Sequence, residues 1–495
     1  MVPEDRKDAA TGGYALNQIK FGTSGWRGII ADDFTFERSR LVVAAVASYL
    51  SESGDGRRGV LVGHDTRFLA EEFAADAAGL LSDLGIDVLL CSGPVPTPAI
   101  SLIILKRGLG GAINFTASHN PGNYQGIKFS PSWGGPALPE STRIIEDTVQ
   151  KYQLKGLPAA TVRKGSIETI DPVPEYFEQL RSKVDMNLIA RSGLKIAFDA
   201  LFGAGGNYLD RILEEAGCKV TTIHGNRDPL FGGFSPEPSE ERLSELARVV
   251  SAEADLGLST DGDADRFGIL GDSGEFYTPN SILTILADYL LRIKGTPGDL
   301  ARSVATTGQL DDIAAVFGRR CYETPVGFKY IGQMISEGKL AMGGEESAGM
   351  SIHGHVPEKD GILACLLVAE LVASTGKPLS QIYKELQDTY GVRLSVRVNL
   401  QLTDELILRL REILSSPPLE VGGFIATELV AVDGTKWKYE GGDWVLLRLS
   451  GTEPVARLYV ETRDQDRLTG LERAFSSWIT GDDGSMANNK AGHLQ

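Results

Sequence analysis

A chain of 495 residues is too long for one hydrophobic core and should divide into about three or four domains. With 49 Lys and Arg against 66 Asp and Glu, the formal charge of -17 leaves no basic surplus for a phosphate backbone, which excludes a nucleic-acid partner. Any anionic ligand must instead find a local cluster of Arg, Lys and backbone N–H groups. Cys91, Cys218, Cys321 and Cys365 are scattered without C-x-x-C or metal-ligand spacing, so free thiols and a cytoplasmic location are expected. The N-terminus is polar and charged, unlike a secretory signal. The longest apolar run, 361–374, is interrupted by Glu370; it is too short for a bilayer and reads as a buried helix, so no membrane partner is expected.

In chain order, apolar runs at 59–63, 87–91 and 111–115 read as buried strands, with a helical stretch at 69–83. The alternation returns as a strand at 194–198, a helix at 208–216, and strands at 219–223 and 254–259. A third block opens near Asn280 with a helix at 281–293 and runs to about residue 391. Such alternation predicts sheets with parallel strands covered by helices. From residue 392 the pattern changes to β-branched strands at 394–400, 444–449 and 456–461, an α+β reading. Linkers are expected at 156–173 and 388–393, and the polar tail 481–495 reads as disordered.

Four segments carry chemistry. Thr116-Ala117-Ser118-His119-Asn120-Pro121 follows a buried strand, at the edge where open α/β sheets place ligands. A serine there is a nucleophile only if a base or metal activates it, and otherwise forms a turn or cap. In Asp261-Gly262-Asp263-Ala264-Asp265-Arg266 the acidic residues alternate, so in an extended chain they share one side. Converging carboxylates need a cation, and all-oxygen ligation selects a hard one. The competing readings are a solvated acidic turn and a calcium loop, and the latter fails at Arg266 and Asp272. Gly344-Glu345-Glu346-Ser347-Ala348-Gly349 offers acceptors suited to adjacent hydroxyls, or is an exposed turn. Arg448-Leu449-Ser450-Gly451-Thr452-Glu453-Pro454 combines an Arg fork, two hydroxyls and a glycine, which makes an anion cradle.

In this order, spread over most of the chain, the four segments resemble the α-D-phosphohexomutases, the family of phosphoglucomutase and phosphomannomutase. Phe21-Gly22-Thr23-Ser24-Gly25-Trp26-Arg27-Gly28 and the string from Thr116 to Gly126-Ile127-Lys128-Phe129 extend the resemblance. It implies three related α/β domains with mixed sheets covered by helices, plus a C-terminal α+β domain. The expected bounds are 1–165 for a catalytic phosphoserine domain, 166–279 for metal, 280–391 for sugar and 392–480 for phosphate. It implies a phosphoserine at Ser118, an active-site Arg27, Lys128 as general acid/base, and His119 in support. Mg²⁺ would be held by Asp261, Asp263, Asp265 and an oxygen of phosphorylated Ser118, with Arg266 next to it for phosphate.

Glu345 and Ser347 would take the 3- and 4-hydroxyls of a hexose, and Thr324, Gly327 and Lys329 lie in the counterpart of the sugar-orienting loop. His355 and Lys359 resemble further active-site positions, with His353 close enough to leave the histidine open. Arg448, Ser450, Gly451, Thr452 and Arg457 would grip the phosphate. The implied partner is a small-molecule sugar phosphate, with hexose 1,6-bisphosphate as intermediate and activator and a monomer or dimer equally open. Glucose is the expected sugar, with mannose or dual use the alternative. Phosphoglucosamine mutases are disfavoured because their sugar loops usually differ from 324–329 and 345–347. A serine hydrolase lacks its G-x-S-x-G elbow, and a non-catalytic sensor would not need Ser118 and all three Asp. Gly203-Ala204-Gly205-Gly206 lacks a full dinucleotide fingerprint.

Overall fold

The computed structural model describes residues 18–22, 25–449 and 455–481. Its first sheet holds β1 (Trp26–Ile29), β2 (Val60–His64), β3 (Val88–Cys91), β4 (Gly111–Phe115), β5 (Tyr124–Pro131) and β6 (Ile167–Ile170), in the order β1-β5-β4-β2-β3-β6. The second holds β7 (Lys195–Asp199), β8 (Lys219–Ile223), β9 (Leu256–Thr260), β10 (Phe267–Leu270) and β11 (Phe276–Tyr277), ordered β11-β10-β9-β7-β8. The third holds β12 (Asp299–Ser303), β13 (Cys321–Thr324), β14 (Leu340–Glu345) and β15 (Gly349–Ile352), ordered β13-β12-β14-β15.

One topology is written three times. In each sheet two parallel strands neighbour a third (β2, β3 and β4; β7, β8 and β9; β12, β13 and β14). The third then turns through a short loop into an antiparallel partner: β4 into β5, β9 into β10, β14 into β15. Those three turns are the segments singled out for Ser118, Asp261–Asp265 and Glu345. The inner strands β2, β4, β9 and β14 are buried along their whole length, as strands covered by helices on both faces must be.

The expected boundary at 165/166 cuts off β6, which pairs in parallel with β3 and extends the first sheet. The stretch read as a linker therefore contains a strand. It was invisible in the pattern because Ile167-Glu168-Thr169-Ile170 is an exposed edge strand with no apolar run to bury.

The helix Gly361–Thr375 holds the second and third sheets together. Gly361 to Val372 are all buried, so this helix is apolar around its circumference because it is surrounded. Among the described residues no single helix is long and apolar enough to cross a membrane.

The fourth unit is an antiparallel sheet of β16 (Leu394–Gln401), β19 (Glu428–Val430), β20 (Thr435–Lys438), β21 (Trp444–Leu449) and β22 (Val455–Thr462), with the small hairpin of β17 (Glu420–Val421) and β18 (Phe424–Ile425) beside it. The helices Asp404–Ser415 and Gln465–Thr480 close over a core built on Trp437, Phe475 and Leu458. Its contact with the third unit mixes a small apolar patch (Val304, Ala305, Trp444, Leu446, Tyr459) with buried charges. The Gly308 N–H and the Trp444 indole both donate to Glu461, and Lys436 Nζ reaches Val304 O at 2.9 Å and Glu323 at 2.6 Å. The expected tail 481–495 lies outside the described residues beyond Gly481.

Candidate active site

β4 delivers Ser118 to the crevice, buried and with a left-handed backbone (φ 51°). Ala264 in the acidic loop (φ 57°) and Ala348 beyond Glu345 (φ 67°) share that conformation, so each of the three repeated turns has one strained non-glycine residue. Such strain costs about 1–3 kcal/mol and persists where the surroundings over-determine the turn.

For the Ser118 loop, the surroundings are Arg67. Its guanidinium donates to the carbonyls of Ser118 (2.5 Å), Asn120 (2.6 Å), Pro121 (2.8 Å) and Tyr124 (3.1 Å), and to Asp65 Oδ2 (3.1 Å). Asp65 Oδ2 also accepts from Thr116 Oγ1 (2.6 Å), which in turn accepts the Ser118 N–H (2.9 Å). Arg67 and Asp65 are fully buried, and the guanidinium lies over the Phe231 ring of the second unit at 4.8 Å. Sequence reasoning missed this pair. The available signal was Asp65-Thr66-Arg67 directly after a buried strand, where charge has no place unless it is used.

Ser118 Oγ donates to Asp261 Oδ2 at 2.9 Å, and His119 Nδ1 lies 3.4 Å from Ser118 Oγ. Burial, then the cations Arg266 and Arg27, drive His119 well below the ordinary imidazole range, so its ring is neutral. The half-buried Arg27 contacts Asn120 Oδ1; burial and Arg266 bring its guanidinium down to about 10.

Asp261, Asp263 and Asp265 are buried, and one carboxylate oxygen from each lies within 4.8 Å of the others. The Asp265 and Arg266 N–H groups donate to Asp261 Oδ1, which curls the loop. Thr97 locks Asp263 from the first unit, by Oγ1 at 2.5 Å and by a backbone bond at 2.9 Å. Lys128 Nζ bridges Asp263 (2.5 Å) and Asp265 (2.8 Å), and Lys359 Nζ lies 3.0 Å from Asp265. Burial and the charges of Asp265 and Asp263 push Asp261 far above the carboxylate range. Burial also opposes ionisation of Asp265, but Lys128 and Lys359 hold it below that range. Even so, Asp263 Oδ1 and Asp265 Oδ1 are buried with no hydrogen-bond partner among the described residues. Two orphaned carboxylate oxygens in an all-oxygen cluster fit a hard divalent cation.

Glu345 ends β14 and accepts the Gly327 N–H at 2.7 Å, which ties it to the 324–329 loop. Burial, then its neighbour Glu346, raises the Glu345 carboxyl to about 7. Glu346 turns the other way, accepting from Ser303 Oγ (2.9 Å) and reached by the Tyr459 hydroxyl of the fourth unit (3.4 Å). Half-buried Lys329 lies near Glu345 and Glu140, burial lowering its ammonium. The Thr324 hydroxyl proton is directed to Pro325 O and Arg302 O. Ser347 is half-buried at the turn. Phe267 N–H donates to Ala348 O and Gly361 N–H to Ala264 O, so the acidic and glutamate loops are stitched together.

His355 is not brought to this cluster with a free nitrogen. Its side chain is fully buried, Nε2 lies 2.7 Å from Asp360 and Nδ1 3.4 Å from Gln179, and Tyr176 shares Asp360. It braces the seam between the second and third units instead. His353 sits beside Leu340 O, at the opposite end of β14 from Glu345. Gly203-Ala204-Gly205-Gly206 serves packing: its buried backbone lies against the acidic loop, with Ala204 N–H donating to Gly262 O.

Arg266 Nη1 lies 3.2 Å from Glu237 while its Nε is buried without a partner among the described residues. Arg448 is buried, ion-paired with Asp433 at 3.2 Å, and its Nε likewise has none among the described residues. Arg457 stands opposite Arg448 in the β21–β22 register. Ser450, Gly451 and Thr452 lie outside the described residues.

Three α/β repeats that deliver a serine, an acidic triad and a glutamate to one crevice, completed by an arginine-bearing α+β unit, define a phosphohexomutase. Residues 18–155, 174–274 and 278–390 match the α/β/α domains I, II and III of phosphoglucomutase/phosphomannomutase, and 398–476 match its C-terminal domain. The chain belongs to this family, the α-D-phosphohexomutases. A phosphoglucomutase/phosphomannomutase of Thermococcus kodakarensis is 32% identical over 90% of this chain and 95% of its own. A Methanothermobacter thermautotrophicus protein provisionally named phosphoglucosamine mutase is also 32% identical, over 93% of this chain and 97% of its own. The crystal structure of a Thermus thermophilus protein, provisionally assigned as a phosphomannomutase, superposes with a TM-score of 0.81 at 35% identity, covering 94% of this chain and 100% of that one. The phosphoglucosamine branch, disfavoured on its sugar loops, thus stands level among relatives by identity.

Asp263→Asn keeps the size of a ligand and removes its charge. Affinity for Mg²⁺ in a calorimetric titration should fall about 10–100-fold, the loss that even outer partners of a metal site can cause. Undiminished affinity would mark the cluster as a salt-bridged structural element.

A carboxyl at about 7 becomes neutral as pH falls below that value, so Glu345 then loses its anionic acceptor strength. The KM for a sugar phosphate should therefore rise between pH 8 and 6. Glu345→Gln, which cannot titrate, should flatten that rise; an identical profile in the variant would remove Glu345 from substrate binding.

Proposed function

We propose that this chain is a Mg²⁺-dependent phosphoglucomutase that works through a phosphoserine at Ser118 and a hexose 1,6-bisphosphate intermediate. The observation that carries the reading is Ser118 Oγ at 2.9 Å from Asp261, inside the one acidic cluster of that type among the described residues. A nucleophile beside a cation-ready triad suits phosphoryl transfer.

Phosphorylated Ser118 donates to the free 6-hydroxyl of a hexose 1-phosphate. The sugar oxygen bonds phosphorus, the P–Oγ bond breaks, and one proton passes from the sugar hydroxyl to Ser118 Oγ. Lys128 Nζ relays that proton. The bisphosphate then turns over and returns its 1-phosphoryl group to Ser118, leaving hexose 6-phosphate. Mg²⁺ would be held by Asp261, Asp263, Asp265 and an oxygen of the phosphorylated serine, and would supply charge neutralisation and polarisation of the phosphoryl group. Arg27 and Arg266 bind phosphoryl oxygens, with His119 in support. Glu345 and Ser347 take the 3- and 4-hydroxyls, Lys329 and Lys359 position the ring, and Arg448 and Arg457 grip the distal phosphate.

The four units take the roles of catalytic phosphoserine, metal, sugar and phosphate domains. Four free cysteines favour a reducing cytoplasm.

Glucose, mannose and glucosamine differ only at carbon 2, and the names of the relatives diverge at that same atom. Glu345 and Ser347 read hydroxyls shared by all three sugars, so discrimination falls to the 324–329 loop. A single misplaced hydroxyl contact is worth only a modest factor. In a coupled assay glucose 1-phosphate should give the highest kcat/KM, with measurable turnover of mannose 1-phosphate. Glucosamine 1-phosphate as the best substrate would transfer the chain to the phosphoglucosamine branch.

Ser118→Ala should abolish steady-state turnover and the protein-bound phosphate seen by mass spectrometry. Its melting temperature should stay near wild type, since a loop hydroxyl adds little to the core. Full turnover by the variant would end the covalent mechanism.

A further inference from the structure

The link between the phosphate arginine and the sugar loop runs through one carboxylate oxygen. Asp433 Oδ2 accepts the Val326 N–H at 3.1 Å and is ion-paired with Arg448 at 3.2 Å. Asp433 lies on the turn from β19 to β20, and Val326 belongs to the third unit, so this oxygen spans the domain seam. The next amide, Gly327 N–H, donates to Glu345 Oε1 at 2.7 Å. Two successive N–H groups are thus divided between a fourth-domain carboxylate and the sugar-site carboxylate. Only the Val326 Cα separates the two amides, and the Gly327 amide plane starts at that atom, so a displacement of the Val326 backbone is carried into the Gly327 N–H. Gly327 has φ 123°, which L side chains rarely adopt, so the backbone at this position is one that glycine alone takes readily. On the other side, Gly434 (φ 83°) packs against the backbone of Leu447 and Arg448, seating the Asp433 turn on the arginine.

We propose that Asp433 is a positioning residue that competes with substrate phosphate for Arg448 and couples release of that phosphate to the 324–327 loop and Glu345. This rests on the reading of Arg448 as a phosphate residue. The Asp433 side chain is 27% exposed, so the pair is breakable, whereas Arg448 is 9% exposed and its Nε has no partner among the described residues. A phosphate bound bidentately places a second anion beside Asp433. The two repel each other, so Asp433 weakens phosphate binding at this end. A bisphosphate that must let go, turn and rebind needs such a competitor.

Asp433→Asn keeps the size of the side chain and an acceptor for Val326 while removing the charge. Glucose 1,6-bisphosphate binding to the unphosphorylated protein, read by calorimetry, should tighten about two- to fivefold, the range a pair of this exposure carries. KM should fall with it and kcat should fall at least as far, because release becomes slower. A merely structural defect would raise KM, and unchanged or weaker bisphosphate binding in Asp433→Asn overturns the proposal. Asp433→Ala should tighten binding likewise; if it weakens while Asp433→Asn tightens, the lost Val326 bond confirms the link to the sugar loop. Arg448→Ala tests the underlying reading separately: it should weaken bisphosphate binding, and no change there would show that Arg448 is not a phosphate residue.

Discussion

Three carboxylates held within 4.8 Å of one another and shielded from water cannot stay ionised without compensating charge. Much of the surrounding architecture answers that constraint. Lys128 comes from the first unit and Lys359 from the third, each placing an ammonium on the cluster. Thr97, also from the first unit, fixes Asp263 by side chain and backbone. The acidic loop belongs to the second unit alone, yet its electrostatics are satisfied only when three units meet. Two carboxylate oxygens remain without a partner among the described residues, and they are where a cation would complete the set.

The threefold repetition explains how such a meeting is built. Each unit ends its third parallel strand in a turn that reverses into an antiparallel neighbour, and each turn carries one left-handed residue that is not glycine. The repeated topology presents the same corner of each sheet, so three corners can converge while carrying different chemistry: hydroxyl, carboxylate triad, hydroxyl acceptor. The strain is held by contacts from outside the turn. Arg67 binds four carbonyls of the Ser118 loop, and the Ala264 and Ala348 carbonyls accept N–H groups from Gly361 and Phe267.

The fourth unit is attached differently. The second and third share an apolar core through the helix Gly361–Thr375, and the helix Thr97–Arg107 of the first unit packs into that same core. The seam to the fourth is a small apolar patch framed by Glu461, Arg393, Asp312, Lys436 and Glu323. Charges at a seam can exchange partners or water at lower cost than a separating apolar face. Lys436 illustrates the balance: burial and the nearby Arg302 lower it to about 8, while Glu323 holds its ammonium at 2.6 Å.

The sequence by itself determined the α/β character of the first three blocks, the change of pattern at the fourth, and the residue types at all four site loops. Strand runs and their terminal loops are local, and their hydrophobic pattern survives in any fold that buries them. The buried strand 111–115 announced Ser118, and the spacing of Asp261, Asp263 and Asp265 announced a cluster, although a tight turn with a left-handed Ala264 brings the carboxylates together and not the extended chain that the alternation implied. The sequence could not place β6, because a polar edge strand has no burial to advertise. The resemblance singled out Glu345, but the residue pattern could not show that Glu345 meets the 324–329 loop while Glu346 turns to the fourth unit, or give His355 its place against Asp360 and Gln179. Those outcomes depend on the fold around them rather than on the local pattern. The tertiary structure alone brought Arg67 under Ser118, Lys128 and Lys359 onto one aspartate, and Asp433 between Arg448 and Val326. The physical reason is the same in each case: a buried charge is tolerable only where the whole fold supplies its counterpart, and that counterpart leaves no periodic trace in the chain.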